Sequence, residues 1–190
     1  MCFYITATLP KGTQVDEIKE ILDLYQMKFS EIDNHIVKSQ LRPGELYFRA
    51  TKEYCDCDTM LGSLNSLQDF QTISKSKKVK ALKKKNWSEE SINQWINEKL
   101  KKNQKKSNEK FTPAERKERL SRWTNFLYAL LDKKKVSRIG FLKHWYKKGL
   151  EDEEINIKKT QKIAINQVKP ELLLNLSEDI LYEFFPIYNY

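Results

Sequence analysis

Apolar and polar residues alternate along the beginning of the chain. In CFYITATL, residues 2–9, every second residue from Phe3 to Leu9 is apolar, and the residues between them are more polar. A period of two with β-branched and aromatic residues predicts a strand with one buried face. In the next segment, VDEIKEILDLY, the apolar residues from Val15 to Tyr25 recur at intervals of three and four, which predicts an amphipathic helix.

Period-two patterns return in two later parts of the chain. HIVKSQLRPGELYFRAT, residues 35–51, predicts a β-hairpin. Pro43 and Gly44 suit the centre of its type II turn, because proline presets φ and glycine accepts a positive φ. Toward the C-terminus, strands are predicted for RIGFLKHWY, INIKK, KIAIN and DILYEFFPIY. We expect these strands to join the first one in a single sheet.

Three helices are predicted between these strand-rich parts. TMLGSLNSLQDF, residues 59–70, has helical spacing, and Asp58 before it is a candidate N-cap. A second helix begins at Ser88, and its apolar stripe consists of Ile92, Trp95, Ile96 and Leu100. A third begins after Thr112, which forms a capping box with Glu115. The lysines on either side of the second helix are expected to lie in solvated flanks or loops.

These elements together predict an α+β fold with a mixed or antiparallel sheet built from the N- and C-terminal segments. Residues 1–70 and 136–190 would form a discontinuous body, and residues 71–135 a helical, lysine-rich insertion. A chain of 190 residues is long enough for one domain with a substantial core. Its contents of 39% hydrophobic and 12% aromatic residues argue against general disorder.

Positive charge is concentrated in one segment of the chain. Residues 72–110 hold 13 lysines and 4 acidic residues, which accounts for the whole net charge of +9, because the remaining 22 basic and 22 acidic residues cancel. Such a segment can neutralise nucleic-acid phosphates, with counterion release as the source of affinity. It contains no arginine, so we expect contacts to the backbone and not to base edges. The candidate nucleic-acid-binding residues are Lys75, Lys77, Lys78, Lys80, Lys83, Lys84, Lys85, Lys99, Lys101, Lys102, Lys105 and Lys106.

The same lysines allow two other interpretations. An acidic protein surface would present a similar field to them, and a solvated basic arm would raise solubility without binding anything. Trp95 and the other residues of the apolar stripe are expected to pack between helices, not to stack on bases. The preferred hypothesis is a non-enzymatic protein that binds nucleic acid or a nucleic-acid–protein complex.

The three cysteines of the chain form a second candidate site. Cys55 and Cys57 are separated by one residue, so in an extended segment their side chains would point the same way. Cys2 from the first strand and His144 from a strand of the same predicted sheet would complete a tetrahedral zinc set. Zinc is therefore the candidate cofactor, with Cys2, Cys55, Cys57 and His144 as candidate ligands.

The cysteines also allow a catalytic and a purely structural interpretation. If the initiator methionine is removed, the free amine of Cys2 could activate its own thiol, as in N-terminal nucleophile hydrolases. The alternative function is thus a thiol-dependent hydrolase or transferase that uses Cys2 or the Cys55/Cys57 pair. Asp56 and Asp58 oppose this chemistry at Cys57, because neighbouring carboxylates make a thiolate costly. In the structural interpretation, all three cysteines are small, buried or half-buried apolar side chains without chemistry.

Three features of the sequence bear on the cellular context. The N-terminal stretch MCFYITATLPKG has no basic leader and no long apolar run, so it does not predict a signal peptide. No stretch approaches the roughly 18 apolar residues of a membrane span, so we expect no membrane partner. An odd number of cysteines, three, favours a reducing compartment. These features predict a cytoplasmic protein.

Overall fold

The computed structural model of the chain describes residues 2–50, 55–57, 59–63, 70–74, 76–110, 112–132 and 135–187. Its strands are β1 (Cys2–Leu9), β2 (Ser30–Glu31), β3 (Leu46–Arg49), β4 (Ile139–Tyr146), β5 (Lys159–Ala164) and β6 (Ile180–Phe185). Its helices are α1 (Val15–Leu24), α2 (His35–Lys38), α3 (Met60–Ser63), α4 (Phe70–Ser74), α5 (Lys77–Lys84), α6 (Glu89–Lys110), α7 (Pro113–Asp132) and α8 (Pro170–Leu174).

The strands form one six-stranded sheet in the order β2-β3-β1-β4-β6-β5. The neighbouring strands pair in antiparallel fashion, except that β5 and β6 are parallel. β1 from the N-terminal part lies next to β4 from the C-terminal part, with Cys2 opposite Tyr146 and Thr8 opposite Gly140. The α+β fold expected from the sequence is confirmed, with a mixed sheet to which both ends of the chain contribute.

β1 is buried on both faces, whereas its sequence pattern predicted one buried face. Ile5 belongs to the main core, and Thr6 and Thr8 on the opposite face are equally inaccessible to solvent. A second apolar cluster, which includes Tyr47, covers that face. The Tyr47 hydroxyl donates a hydrogen bond to Thr6 Oγ1 at 2.9 Å. Because β1 lies inside the sheet and between two clusters, Thr6 and Thr8 on its polar face are removed from water, while Cys2 and Tyr4 on the same face are half-buried.

The main core lies between one face of the sheet and helices α1, α3, α7 and α8. The rings of Phe141 in β4 and Phe184 in β6 have centroids 5.5 Å apart. Trp123 of α7 packs edge-on against Phe141, with ring centroids 5.3 Å apart. The buried side of α7 consists of Leu120, Trp123, Phe126, Leu127, Leu130 and Leu131. This helix therefore supplies much of the apolar cover of the sheet.

α7 begins at the predicted capping box. The Glu115 N–H donates to Thr112 Oγ1 at 3.2 Å, and the Thr112 N–H donates to the Glu115 carboxylate at 2.8 Å. The sequence placed α7 in the insertion of residues 71–135, yet its apolar side packs in the main core. The division into body and insertion stays a prediction, and in the structure α7 shares the core of the sheet.

The predicted hairpin at residues 35–51 has a different structure in its first half. Residues 35–38 form α2, whose cap Asn34 accepts a hydrogen bond from the Val37 N–H at 2.9 Å. The pattern HIVK is too short to distinguish a strand from one helical turn, and the asparagine cap favours the helix. The predicted turn is present, since Gly44 has φ +77 and the Glu45 N–H donates to the Arg42 carbonyl. Most of INIKK precedes β5 and is not part of a strand.

Helices α4, α5 and α6, within residues 70–110, form what we call the basic helical unit; we call the sheet with α1, α2, α3, α7 and α8 the sheet body. The unit has its own apolar cluster of Ile73, Val79, Leu82, Ile92 and Ile96, with Trp95 and Leu100 packed against it. The apolar stripe predicted after Ser88 thus packs between helices, as expected. The described lysines on either side of it, expected in flanks or loops, lie mainly on α5 and on the continuation of α6.

Candidate metal centre and basic surface

Residues 55–57 lie along the part of the β1 edge that β3 does not cover. β3 pairs with β1 only between Thr6 and Leu9. Nearer the N-terminus, the Asp56 N–H donates to the Phe3 carbonyl at 2.8 Å, and the Ile5 N–H donates to Asp56 Oδ2 at 2.7 Å. These bonds pair backbone groups of β1 that β3 does not reach, and they hold the cysteine-bearing segment beside β1.

The sulfur atoms of Cys2, Cys55 and Cys57 all lie within 4.8 Å of one another, and all three residues are half-buried. We call them the cysteine cluster. The Phe3 N–H donates a hydrogen bond to Cys57 Sγ at 3.3 Å. Three thiolates bound tetrahedrally to zinc at about 2.3 Å would have sulfur atoms about 3.8 Å apart. The cysteine cluster could therefore hold a metal ion after a small contraction.

The electrostatic environment of Cys57 favours the protonated thiol. Burial raises the pKa of Cys57 to about 11, the Phe3 N–H opposes this shift, and the nearby Cys55 and Cys2 add to it. A nucleophilic cysteine needs a lowered pKa, so this environment disfavours Cys57 as a catalytic thiolate. A bound cation has the reverse effect, because a coordinating thiol is deprotonated.

The structure does not bring His144 into the cysteine cluster. Its Nδ1 atom lies 2.5 Å from Asp179 Oδ1, and its Nε2 atom lies 3.5 Å from Glu153 Oε1. Lys158 pairs with the other Asp179 oxygen at 2.8 Å. Burial acts to raise the pKa of Asp179, but hydrogen bonds from Lys158 and His144 outweigh burial and lower this pKa. Asp179 is therefore held as a carboxylate. The imidazole is thus engaged with two acidic groups, and its predicted role as a zinc ligand stays a prediction.

The sequence analysis did not anticipate that two ionisable residues near the cysteine cluster are buried. Asp56 and Lys143 are both 0% exposed. Burial raises the pKa of Asp56 to about 7 and lowers the pKa of Lys143 to about 8. Lys143 Nζ donates to the Leu61 carbonyl and lies 5.2 Å from the centroid of the Phe3 ring. The burial of Lys143 could have been inferred from its position in β4, because a period of two places Lys143 on the same face as the core residue Phe141.

Seven of the predicted lysines have described and exposed side chains, and we call them the exposed lysine group: Lys78, Lys80, Lys83, Lys84, Lys85, Lys101 and Lys102. No ion pair between described side chains involves a member of this group. Lys99 is half-buried, with its Nζ atom 5.1 Å from the centroid of the Trp95 ring. Lys75, and the side chains of Lys77, Lys105 and Lys106, lie outside the described part of the chain.

Trp87 is a surface residue that the sequence analysis did not single out. It lies in the connection between α5 and α6 and is 44% exposed. Of the other tryptophans, Trp123 is buried, and Trp95 and Trp145 are half-buried. Trp87 comes one residue before the Ser88 cap and outside the apolar stripe of α6. This position in the sequence was the signal that could have identified it as a surface residue.

Comparison of the chain with protein-family models, with curated proteins and with solved structures found no match. Among the described residues, no helix has the length and apolar character that crossing a membrane requires. The cysteine cluster and the exposed lysine group are therefore the two candidate functional sites of the described residues.

Proposed function

We propose that the chain binds the phosphate backbone of nucleic acid through the basic helical unit. The observation that carries the proposal is the exposed lysine group, which makes no ion pair with a described side chain. In the sheet body, Lys38, Lys148 and Lys158 pair with carboxylates at 2.8 to 3.0 Å, while exposed lysines such as Lys159 and Lys162 also make no ion pair with a described side chain. What distinguishes the basic helical unit is therefore the concentration of its exposed lysines along α5 and α6. Lysines without an internal partner can contact phosphates without first losing an ion pair.

The local sequence of α5 supports this function. Its eight residues, KKVKALKK, include five lysines and no acidic residue. Ser76 caps the helix by accepting a hydrogen bond from the Val79 N–H, and Val79 and Leu82 anchor it in the apolar cluster of the unit. The remaining positions of the helix are thus free to present charge. A rigid helix loses less side-chain and backbone entropy on binding than an unstructured lysine tract would.

The test is a titration of the full chain against labelled oligonucleotides, single- and double-stranded, between about 50 and 200 mM salt. Binding should weaken steeply with salt, because each neutralised phosphate contributes about −0.7 to −0.9 to the slope of log K against log salt. The double variant Lys83→Glu/Lys84→Glu should reduce the magnitude of this slope by the contribution of about two phosphates. The matched control is Lys159→Glu/Lys162→Glu, which makes the same charge change on exposed residues of β5.

Two outcomes would contradict the proposal. Equal effects of the two double variants would mean that net charge, and not the basic helical unit, drives association. No binding to either oligonucleotide, together with salt-sensitive binding to polyglutamate, would replace nucleic acid with an acidic protein partner.

We also propose that the cysteine cluster binds zinc. Three sulfur atoms within 4.8 Å of one another offer three of the four ligands that a tetrahedral site needs. The hydrogen bond from the Phe3 N–H to Cys57 Sγ suits a metal-bound thiolate, because neighbouring hydrogen bonds orient and tune metal ligands. Asp56 is not a candidate for the fourth position, since its carboxylate accepts hydrogen bonds from the Ile5 N–H and the Thr59 hydroxyl.

Native mass spectrometry of protein purified without chelator tests zinc binding directly. We expect one zinc ion per chain, lost in Cys57→Ser and in Cys55→Ser. The variant His144→Gln should keep the ion, because His144 is paired with Asp179. Zinc affinity should rise with pH, because binding must displace the proton of Cys57, whose pKa is raised to about 11. A chain that stays free of metal in excess zinc would overturn the proposal, and loss of zinc only in His144→Gln would relocate the site.

A further inference from the structure

The connection between α5 and α6 has a fixed backbone. α5 is followed by Lys85 as its C-cap, and Asn86 adopts the left-handed region with φ 56. The Asn86 N–H donates to the Lys83 carbonyl at 3.0 Å, and the Trp87 N–H donates to the Leu82 carbonyl at 3.3 Å. These two bonds are the pair that defines a Schellman motif. The position of Trp87 relative to α5 is therefore set by the main chain.

The side chain of Trp87 stays largely exposed, although a residue at this position of the motif can pack against the helix. The residue at this position commonly makes a hydrophobic contact with the last turn of the helix. Here Leu82 of the last turn is buried at 7% exposure in the cluster of the unit, while Trp87 keeps 44% of its surface exposed. A large aromatic face at a rigid turn, separated from lysines 83–85 only by Asn86, is thus available to a ligand.

The charges around Trp87 indicate on which side an anion would lie. Lys83, Lys84 and Lys85 precede the tryptophan, and all three are exposed. Glu89 and Glu90 occupy the first turn of α6 on its other side. These carboxylates offset the partial positive charge of the α6 N-terminus, so the start of α6 does not attract phosphate. The end of α5 carries the negative end of that helix dipole, so attraction of phosphate there comes from the ammonium groups of Lys83, Lys84 and Lys85.

We propose that the basic helical unit binds single-stranded nucleic acid, with one base stacked on Trp87 and the flanking phosphates on Lys83, Lys84 and Lys85. This inference rests on the proposed phosphate-binding function and names its ligand class. An unpaired base can present its face to an aromatic side chain, whereas the bases of a duplex are stacked on each other. Stacking of this kind is tolerant of sequence, which is consistent with a segment that has no arginine for reading base edges.

The experiment compares an oligo-dT strand of about 20 nucleotides, longer than typical site sizes, with a mixed-sequence duplex of equal length. Trp87→Ala should weaken binding of the single strand about tenfold to a hundredfold, and should leave duplex binding unchanged. Trp87→Phe should recover most of the loss, because it keeps an aromatic face. The matched control is Tyr128→Ala, which removes an aromatic residue of similar exposure, 39%, from α7.

The outcomes separate this inference from the proposed function. If Trp87→Ala leaves single-strand affinity unchanged while Lys83→Glu/Lys84→Glu abolishes it, the lysines bind phosphate and stacking on Trp87 is refuted. Equal losses for single strand and duplex in Trp87→Ala would also overturn the stacking model. If the wild-type chain binds neither oligonucleotide, the phosphate-binding function itself fails. Quenching of tryptophan fluorescence by oligo-dT in the wild type, absent in Trp87→Phe, would support direct stacking.

Discussion

The sheet body buries ionisable side chains, whereas the described ionisable side chains of the basic helical unit lie at or near its surface. In the body, Lys143 and Asp56 are completely buried, and the buried Glu183 pairs with Arg42 at 2.7 Å. In the unit, the exposed lysine group lies at the surface and makes no ion pair with a described side chain. Buried charges are costly and persist only with specific partners, so those of the body serve the fold. Exposed like charges repel one another, and an external anion relieves that repulsion.

The apolar clusters of the two regions differ as well. The main core joins five strands of the sheet to four helices, while the cluster of the basic helical unit consists of a few side chains from α4, α5 and α6. A small cluster contributes less free energy of unfolding than a large one. We therefore expect the unit to open locally at a lower free energy than the sheet body.

The largest expected effect tests whether the two cores are independent. Phe141→Ala should lower the free energy of unfolding of the whole chain by about 3–5 kcal/mol, because its ring contacts Trp123 and Phe184 in the main core. Ile96→Ala in the unit should remove hydrogen-exchange protection from α5 and α6 and leave the strands protected. Hydrogen exchange read by mass spectrometry measures both. Equal loss of protection in the sheet with Ile96→Ala would show that the regions unfold as one.

The second prediction concerns the buried carboxyl group of Asp56 in the body. Asp56 has a pKa raised to about 7 when folded, so between about pH 4 and pH 7 the unfolded chain releases this proton while the folded chain keeps it. The free energy of unfolding should fall as pH rises through this window, by up to about 4 kcal/mol from this residue. Lys143, with its pKa near 8, is protonated in both states there and adds no slope.

Asp56→Asn should remove this pH-dependent contribution, because an amide does not titrate and its oxygen can still accept the Ile5 N–H. Urea unfolding of both proteins at several pH values gives the difference in slope. The matching change in the unit, Lys84→Gln, should not alter the pH dependence over the same range. Parallel stability curves for Asp56→Asn and wild type would show that Asp56 is ionised in the folded chain.

The smallest expected effect compares a paired, half-buried charge with an exposed charge that pairs with no described side chain. Asp179→Asn removes the partner of both His144 and Lys158 and should cost about 1–3 kcal/mol in the free energy of unfolding. Lys84→Gln should change it by less than about 0.5 kcal/mol, because no described side chain pairs with Lys84. Thermal unfolding at pH 7 measures both. A larger cost for Lys84→Gln than for Asp179→Asn would contradict the structural role assigned to the two charges.

Local patterns predicted several elements correctly. The alternation of CFYITATL matches β1, and the capping box at Thr112 and Glu115 marks the start of α7. The strand prediction at residues 35–38 was wrong, because four residues carry too little periodic information and the Asn34 cap favours a helix. The candidate N-cap Asp58 lies outside the described residues. α8 was not anticipated, although Pro170 at its first turn is a common helix-start signal.

The sequence by itself determined the elements with strong periodicity, the α+β class, and the concentration of positive charge in residues 72–110. These depend on side-chain type and local spacing, which a single chain displays directly. Only the tertiary structure decided that Cys2 meets Cys55 and Cys57, that His144 pairs with Asp179, and that Lys143 is buried. Those facts depend on strand order and register, which bring together residues more than 30 positions apart and leave no periodic trace in the sequence.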